Sequence, residues 1–181
     1  PLVVTSFVDE AIVGSGGAKL TDIVRADLAR SGRFRLMEQG VTALAESPLP
    51  DLALWQQKGA HALVAGTVLS HGAGNFEVRF RVFDVLKKNS LGGMSLNFTR
   101  EQMRLTGHKI ADAIYTMLLG EPGIFATRLS YVTRTGNQFK LLISDSDGGN
   151  PQTALSSNEP IISPAWSPDG LKVAYVSFEK R

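Results

Sequence analysis

Apolar and polar side chains alternate with a period of two in the middle of the chain. The clearest case is within residues 76–86, where a charged residue follows each of the first three apolar ones. The apolar members are Phe76, Val78, Phe80 and Val82. The charged members are Glu77, Arg79 and Arg81. This period predicts a strand with one buried and one solvated face. A largely apolar run at 62–70 and a second alternating stretch at 94–98 predict two neighbouring strands, separated from the first by turn-forming residues.

Two other stretches have apolar residues at helical spacing. The first stripe ends before Gly32, a residue type that commonly follows a helix. Its members are Leu20, Ile23, Val24 and Leu28. The second helix is predicted to begin at Thr99 and Gln102, which have the spacing of a capping box, and to end at Gly120 with Pro122 just beyond. Its apolar stripe consists of Met103, Ile110, Ile114, Met117 and Leu118.

Short elements complete the first two thirds of the chain. Residues 1–7 and 33–37 are predicted strands on either side of the first helix, and this order predicts a βαβ unit with at least one parallel pair. Asp51 is placed to cap a short helix that ends at Gly59. Residues 1–121 are therefore predicted to form an α/β N-terminal domain, a mixed sheet with helices packed on it.

The last third of the chain predicts only strands and turns, and it contains a repeat. Residues 129–133 resemble residues 173–177, and the tyrosines at their centres, Tyr131 and Tyr175, are 44 residues apart. A repeat of about 40–45 residues made only of strands is typical of a propeller blade. Residues 122–181 are therefore predicted to be the first strands of an incomplete β-propeller.

The two copies of this repeat differ in completeness. In the second copy, Pro168 presets one position of a hairpin turn and Gly170 accepts the left-handed conformation that closes it. In the first copy, residues 120–125 and the preceding helix occupy the place of the inner strand. A closed ring would need that strand from elsewhere in the protein, which would also remove an open sheet edge.

Composition excludes several function classes. The 19 Lys+Arg and 17 Asp+Glu residues leave a formal net charge of only +2, which is weak support for nucleic-acid binding. Apolar runs fall far short of the ~20 residues of a membrane-spanning helix. The absence of cysteine excludes disulfides, thiolate nucleophiles and cysteine metal sites. Pro1 is not an initiator, and both ends adjoin predicted strands, so we expect a piece of a longer polypeptide.

Two segments resemble ligand-binding loops without the full pattern. Residues 14–19 lie between a strand and a helix but match neither G-x-x-x-x-G-K-[ST] nor G-x-G-x-x-G, so a flexible loop is predicted. Residues 145–150 resemble the start of a calcium loop. However, Gly149 and Asn150 reverse the required ligand and glycine, and Ser156 stands where a bidentate glutamate belongs. A turn between blade strands is predicted there.

The other chemistry-bearing residues predict no catalytic, cofactor or metal site. His61, His71 and His108 are far apart and lack the carboxylate spacing of a zinc site, and no G-x-S-x-G elbow is present. A group of arginines near the first helix is predicted to be solvated surface charge, with contact to an acidic partner as the alternative. These arginines are Arg25, Arg30, Arg33 and Arg35. Trp55 and Trp166 are predicted to be core residues.

Several segments in a specific order resemble the TolB family, periplasmic components of the Tol–Pal system. The segments are 25–34, 107–112, 119–120, 128–132, 163–170 and 172–179. The hairpin motif alone is shared by several propellers, whereas the combination in this order is specific. The resemblance covers almost the whole chain.

The resemblance implies a non-enzymatic adaptor, with an α/β domain followed by a six-bladed propeller. It would link TolA of the inner membrane to the lipoprotein Pal, supporting outer-membrane integrity and envelope invagination at cell division. Bacteriocins and other outer-membrane proteins are further implied partners. The family's TolA-binding segment lies upstream of Pro1, and most of the Pal-binding propeller is missing, so no binding residue is transferred. A periplasmic location is implied, and neither a cofactor nor nucleic acid is expected.

Two other functions stay open from the sequence. The W-S-P-D-G hairpin at 166–170 also occurs in the gating propellers of serine peptidases. The α/β architecture of the family's first domain resembles that of anticodon-binding domains. About five further repeats downstream would favour the adaptor, since a propeller ring repeats its blades. A following domain with G-x-S-x-G would favour the peptidase, and tight, salt-dependent tRNA retention would favour the nucleic-acid module.

Overall fold

The computed structural model describes residues 1–10, 16–37 and 43–179, and the chain divides into two units, Pro1–Gly123 and Ile124–Arg181. The elements of the first unit are β1 (Leu2–Val4), β2 (Val8–Asp9), α1 (Gly17–Arg30), α2 (Leu52–Gln57), β3 (Ala62–Gly72), β4 (Asn75–Asp84), β5 (Asn89–Thr99) and α3 (Met103–Leu119). Those of the second unit are β6 (Arg128–Thr135), β7 (Gln138–Asp145), β8 (Gln152–Ser157), β9 (Ile161–Trp166) and β10 (Val173–Ser177).

A mixed sheet in the order β1-β3-β4-β5 forms the centre of the first unit, and β2 also pairs with β3. β1 and β2 run parallel to β3, whereas β3, β4 and β5 are antiparallel neighbours. The predicted mixed sheet with a parallel pair is confirmed. The predicted strand 33–37 is reduced to a single parallel bridge between Leu36 and Leu2.

The strand predicted at 1–7 is shorter in the structure, where it is β1, and a second short strand, β2, begins just after the predicted end. A loop contacts the backbone between these two strands. The Leu44 N–H donates to the Ser6 carbonyl at 3.1 Å, and the Gly66 N–H donates to the Leu44 carbonyl at 3.0 Å. Leu44 therefore takes the hydrogen-bonding position between the first strand and β3 that a continuous strand would occupy. The alternation of apolar residues in this region did not predict this insertion.

Both faces of the sheet are buried over part of their area. Val82 and Phe83 are consecutive residues of β4 and both are 0% exposed, so their side chains fill opposite, buried faces of the sheet. A bulge at this point lies in β5, where Leu91 has no partner on β4. α2 packs against the face of Phe83, where the buried cluster consists of Val3, Leu52, Trp55, Ala60, Leu63, Ala65, Phe83 and Val85. α3 lies against the other face. There Met117 packs over Gly92, and a Cβ atom added at this glycine would be 3.5 Å from the Met117 sulfur.

Local capping determines where the helices start and end. The Asp51 Oδ1 accepts hydrogen bonds from the N–H groups of Ala53 and Leu54, at 3.0 and 3.2 Å, so the predicted cap of α2 is confirmed. The Thr99 N–H donates to Gln102 Oε1 at 3.1 Å, as the predicted capping box requires. α3 ends at Gly120, which has a φ of 73°.

The second unit contains a three-stranded sheet, β6-β7-β8, and a hairpin of β9 and β10. In the hairpin turn the Gly170 N–H donates to the Ser167 carbonyl at 2.9 Å, and the φ of Gly170 is 70°. The two repeated segments lie in β6 and β10. Within the described part of the chain β6 pairs with β7 alone, so its other edge is open, which agrees with the predicted incomplete propeller.

Candidate functional site

A buried polar contact joins α1 to α3. The Asp27 Oδ2 lies 2.6 Å from His108 Nδ1, and Arg30 Nη2 donates to Asp27 Oδ1 at 2.6 Å. Asp27 and His108 are each only 1% exposed. A buried carboxylate requires polar or charged partners, because leaving it unpaired costs several kcal/mol, roughly 3–5 in measured cases. We assign this pair the role of holding the two helices together.

Small and polar residues at helical spacing bring these two helices together. Asp27 lies three residues after Val24, within the buried stripe of α1. Gly107 adjoins His108 on α3, and a side-chain carbon there would be 2.7 Å from Ile23 Cγ2. The glycine thus allows the close approach that lets Asp27 reach the imidazole. Sequence reasoning missed this pair, although a carboxylate inside an apolar stripe is a signal that could have shown it.

A polar network covers the solvated face of the sheet around Glu77. Arg79 Nε donates to Glu77 Oε1 at 2.7 Å, and its Nη2 donates to Oε2 at 3.0 Å. Ser95 Oγ on β5 donates to Oε1 at 2.6 Å, and His71 Nε2 lies 3.2 Å from Oε2. The Arg79 hydrogen bond, followed by the Ser95 bond, lowers the pKa of Glu77 from 4.5 to about 2. The predicted wet face of β4 is thus an ordered, charged surface.

The depressed pKa of Glu77 predicts a loss of stability in acid. Because the unfolded chain binds this proton near pH 4.5 and the folded chain near pH 2, the stabilisation is present above pH 4.5 and is lost as the pH falls towards 2. Urea midpoints measured between these pH values should fall less steeply for Glu77→Gln than for the parent. An identical slope in both proteins would contradict this, and the carboxyl carbon resonance of Glu77 gives the pKa directly.

The clustered arginines have different surroundings. Arg33 Nη1 lies 3.3 Å from both Tyr115 Oη and Glu121 Oε2, and the side chains of Arg33 and Glu121 are exposed. Arg30 binds Asp27, Arg35 is exposed, and Arg25 is partly buried. Exposed ion pairs of this kind contribute little, about 0–1 kcal/mol. Arg30 and Arg33 therefore pair with different carboxylates, Asp27 and Glu121, and do not share one acidic partner within the chain.

The carboxylate of Asp9, from β2, lies at the N-terminus of α1 beside the glycine-rich segment. Residues 14 and 15 of this segment fall outside the described residues, so the loop prediction stays a prediction for them. At the start of α1, Gly16 has a φ of 92°, and the Gly17 N–H donates to Asp9 Oδ1 at 2.9 Å. A negative group at a helix N-terminus is favourable, and here Asp9 supplies it from within the chain.

The aspartate-rich segment after β7 is a turn, as predicted. The Gly148 N–H donates to the Asp145 carbonyl at 2.9 Å, and the Gly149 N–H donates to Asp147 Oδ1 at 2.8 Å. Asn150 takes the left-handed conformation, with a φ of 50°. The carboxylate of Asp147 is thus used to cap the turn that connects β7 to β8.

The two tryptophans differ in burial. Trp55 is 9% exposed within the cluster beneath α2, so its predicted core role is confirmed. Trp166 on β9 is partly buried and lines a cleft of about 360 Å³ together with Leu171 and Tyr175. Its Nε1 has no hydrogen-bond partner among the described residues. Leu171, which also lines this cleft, is 78% exposed, and Phe178 is 55% exposed.

Comparisons with known proteins agree with this architecture. The chain matches the TolB amino-terminal domain over residues 1–91 and the TolB beta propeller domain over residues 115–181. A crystal structure of TolB from Acinetobacter baumannii is 38% identical, with a TM-score of 0.86, and the match covers 99% of this chain. The molecule is therefore an α/β domain joined to the beginning of a β-propeller. It belongs to the TolB family. The chain spans 44% of the length of the Acinetobacter protein.

Other solved structures resemble the chain more distantly. The hypothetical protein CT253 from Chlamydia trachomatis is 17% identical, with a TM-score of 0.48, over 66% of this chain and 95% of its own. A PelC dodecamer from Paraburkholderia phytofirmans is 16% identical, with a TM-score of 0.43, over 65% of this chain and 85% of its own. No functional argument follows from similarity at this level. In the parts that the structure describes, no helix is both long and apolar enough to cross a membrane.

Proposed function

We propose that the chain is part of a non-enzymatic periplasmic adaptor of the Tol–Pal system. It would link TolA and Pal, support outer-membrane integrity and envelope invagination at cell division, and serve some bacteriocins during import. The main support for this proposal is that the two TolB domain models match in succession along a chain that is 38% identical to a TolB structure. In this proposal residues 1–121 are the TolB-like α/β domain and residues 122–181 are the first strands of the propeller.

The exposed surface of the second unit supports its assignment to the first strands of a propeller. β6 has an open edge in the described part of the chain. Apolar side chains are also exposed in or next to the hairpin of β9 and β10, namely Leu171, Tyr175 and Phe178. In a propeller, neighbouring strands and blades pair with such edges and cover such side chains. Family membership also favours the adaptor over the serine-peptidase propeller and the nucleic-acid module.

A titration of purified Pal tests the proposal. Calorimetry with the full-length gene product should show saturable binding to Pal. The 181-residue chain should bind at least about tenfold more weakly, because the missing blades remove central contact residues that each contribute on the order of 2 kcal/mol. Circular dichroism of both proteins confirms that the comparison is between folded molecules.

Two results would contradict these expectations. Equal affinity of the short and full-length proteins would show that the missing blades do not contribute to the Pal surface. No binding by the full-length protein, together with tight and salt-dependent retention of tRNA, would replace the adaptor proposal with the nucleic-acid module.

A further inference from the structure

β5 is an open edge strand with an unusual composition. Within the described part of the first unit it pairs with β4 alone. Its 11 residues, Asn89–Thr99, include neither a charged residue nor a proline. Native sheets usually protect long open edges with charges, prolines or covering elements, because the free N–H and C=O groups are a template for another strand. β5 therefore has neither the charged residues nor the prolines that usually protect such an edge.

The side of this edge that faces α3 is apolar. Met94 lies opposite Phe80 of β4, so both side chains are on the helix side of the sheet. Met94 is 42% exposed, although it lies near the centre of the strand. Met117 of α3 reaches the same region beside Gly92. An added strand would therefore cover apolar area with every second side chain.

The opposite side of the edge is cationic. Arg81 lies directly opposite Gly93 on β5. A side-chain carbon at Gly93 would be 2.8 Å from Arg81 Cγ, so the arginine stem lies over the bare backbone of this glycine. Arg79 is already bound to Glu77, whereas Arg81 is exposed and has no ion-pair partner among the described residues. Its guanidinium is available to a neighbouring carboxylate.

We propose that β5 binds an extended segment of another polypeptide by strand addition. The segment would alternate apolar side chains, which pack beside Met94 and Met117, with acidic side chains, which pair with Arg81. This proposal goes beyond the adaptor function and does not depend on the identity of its partners.

A second copy of the chain is a poorer occupant of this edge. Gly93 is next to the centre of β5, so symmetrical antiparallel pairing of two copies would place both Arg81 side chains on the same face near the two-fold axis. Each Arg81 stem lies over Gly93 of its own β5, so the two guanidinium groups would approach each other over the junction, where neither copy of β5 offers a charged residue to pair with them. The positive charge of Arg81 therefore favours an acidic segment over a second copy of the chain as the occupant of this edge.

The probe is a labelled peptide of about nine residues, alternating valine and glutamate, which is long enough to span most of β5. Fluorescence anisotropy with the 181-residue chain should show saturable binding. The matching valine–lysine peptide should bind at least about tenfold more weakly, because it meets Arg81 with like charge. Methylating those backbone nitrogens of the peptide that would face β5 should abolish binding, because they could no longer donate hydrogen bonds to the strand. The unmodified peptide should shift the amide resonances of β5.

Variants of the protein separate edge binding from general charge attraction. Arg81→Glu should weaken binding of the acidic peptide about tenfold. Arg35→Glu makes the same change in net charge at the opposite edge of the sheet, next to the Leu36 bridge, and should leave binding unchanged. Met94→Lys places a charge on the apolar side of the edge and should also weaken binding, which gives an independent test if Arg81→Glu folds poorly.

The proposal is overturned by equal binding of the glutamate and lysine peptides, by equal losses in Arg81→Glu and Arg35→Glu, or by no binding at all. A concentration-dependent dimer that Met94→Lys dissociates would assign the edge to a second copy instead. The Pal titration has a different readout, so either proposal can fail without the other.

Discussion

Asp27→Ala is expected to lower the free energy of unfolding of the first unit by about 3–5 kcal/mol. The substitution removes the acceptor of His108 Nδ1 and of Arg30 Nη2 in one step. His108 is 1% exposed, so water cannot replace the lost partner without opening the α1–α3 contact. The loss should therefore be far larger than the ~0.5 kcal/mol of an ordinary surface substitution.

The measurement uses urea denaturation followed by tryptophan fluorescence in a Trp166→Phe background. The chain has two tryptophans, so Trp55 then reports on the first unit alone. Asp22→Ala is the matched control, because Asp22 is an exposed aspartate on the same helix and should change stability by no more than about 0.5 kcal/mol. Asp27→Asn retains an acceptor and should fall between the two. A cost below about 1 kcal/mol for Asp27→Ala would show that the pair does not hold the helices together.

Leu52→Ala is expected to cost about 2–5 kcal/mol, because it leaves a cavity beneath α2. Leu52 is 5% exposed and belongs to the buried cluster of Trp55, Leu63 and Phe83. The contact of this six-residue helix with the sheet depends largely on Leu52 and Trp55, its two buried residues. Apart from Trp55, α2 therefore has no buried side chain that could fill the cavity left by Leu52→Ala.

Leu54→Ala provides a control with the same chemical change in the same helix. Leu54 is 46% exposed, so its truncation should change stability by less than about 0.5 kcal/mol. The same fluorescence assay measures both variants. Equal costs for Leu52→Ala and Leu54→Ala would mean that α2 is not anchored by its buried face.

Features that depend on neighbouring residues could be predicted from the sequence. The period of two in β4, the Asp51 cap and the Thr99 capping box are all present as expected. Each is decided within a few residues, because side-chain alternation and free helix amides are properties of the local backbone. The 44-residue spacing of the tyrosines likewise indicated repeated strands, because a blade repeats the same local structure.

Features that join distant residues could not be predicted in this way. Asp27 and His108 are 81 residues apart, and neither position alone shows that the other is near. The strand predicted at 33–37 has apolar residues of the right type, but only Leu36 makes a bridge. The open edge of β5 depends on the order of strands in the sheet. Periodicity predicts a strand and its buried face, and does not predict which neighbour it has.

The insertion of Leu44 affects how the longest strands of the molecule fluctuate. Gly66 lies near the middle of β3, and on the side away from β4 its amide is bonded to the carbonyl of Leu44 rather than to a strand. Departure of this loop alone would expose that amide to solvent while β3 and β4 stay paired. We therefore expect the Gly66 amide to exchange with solvent through local opening of this loop, earlier than the amides of β3 that are bonded to β4.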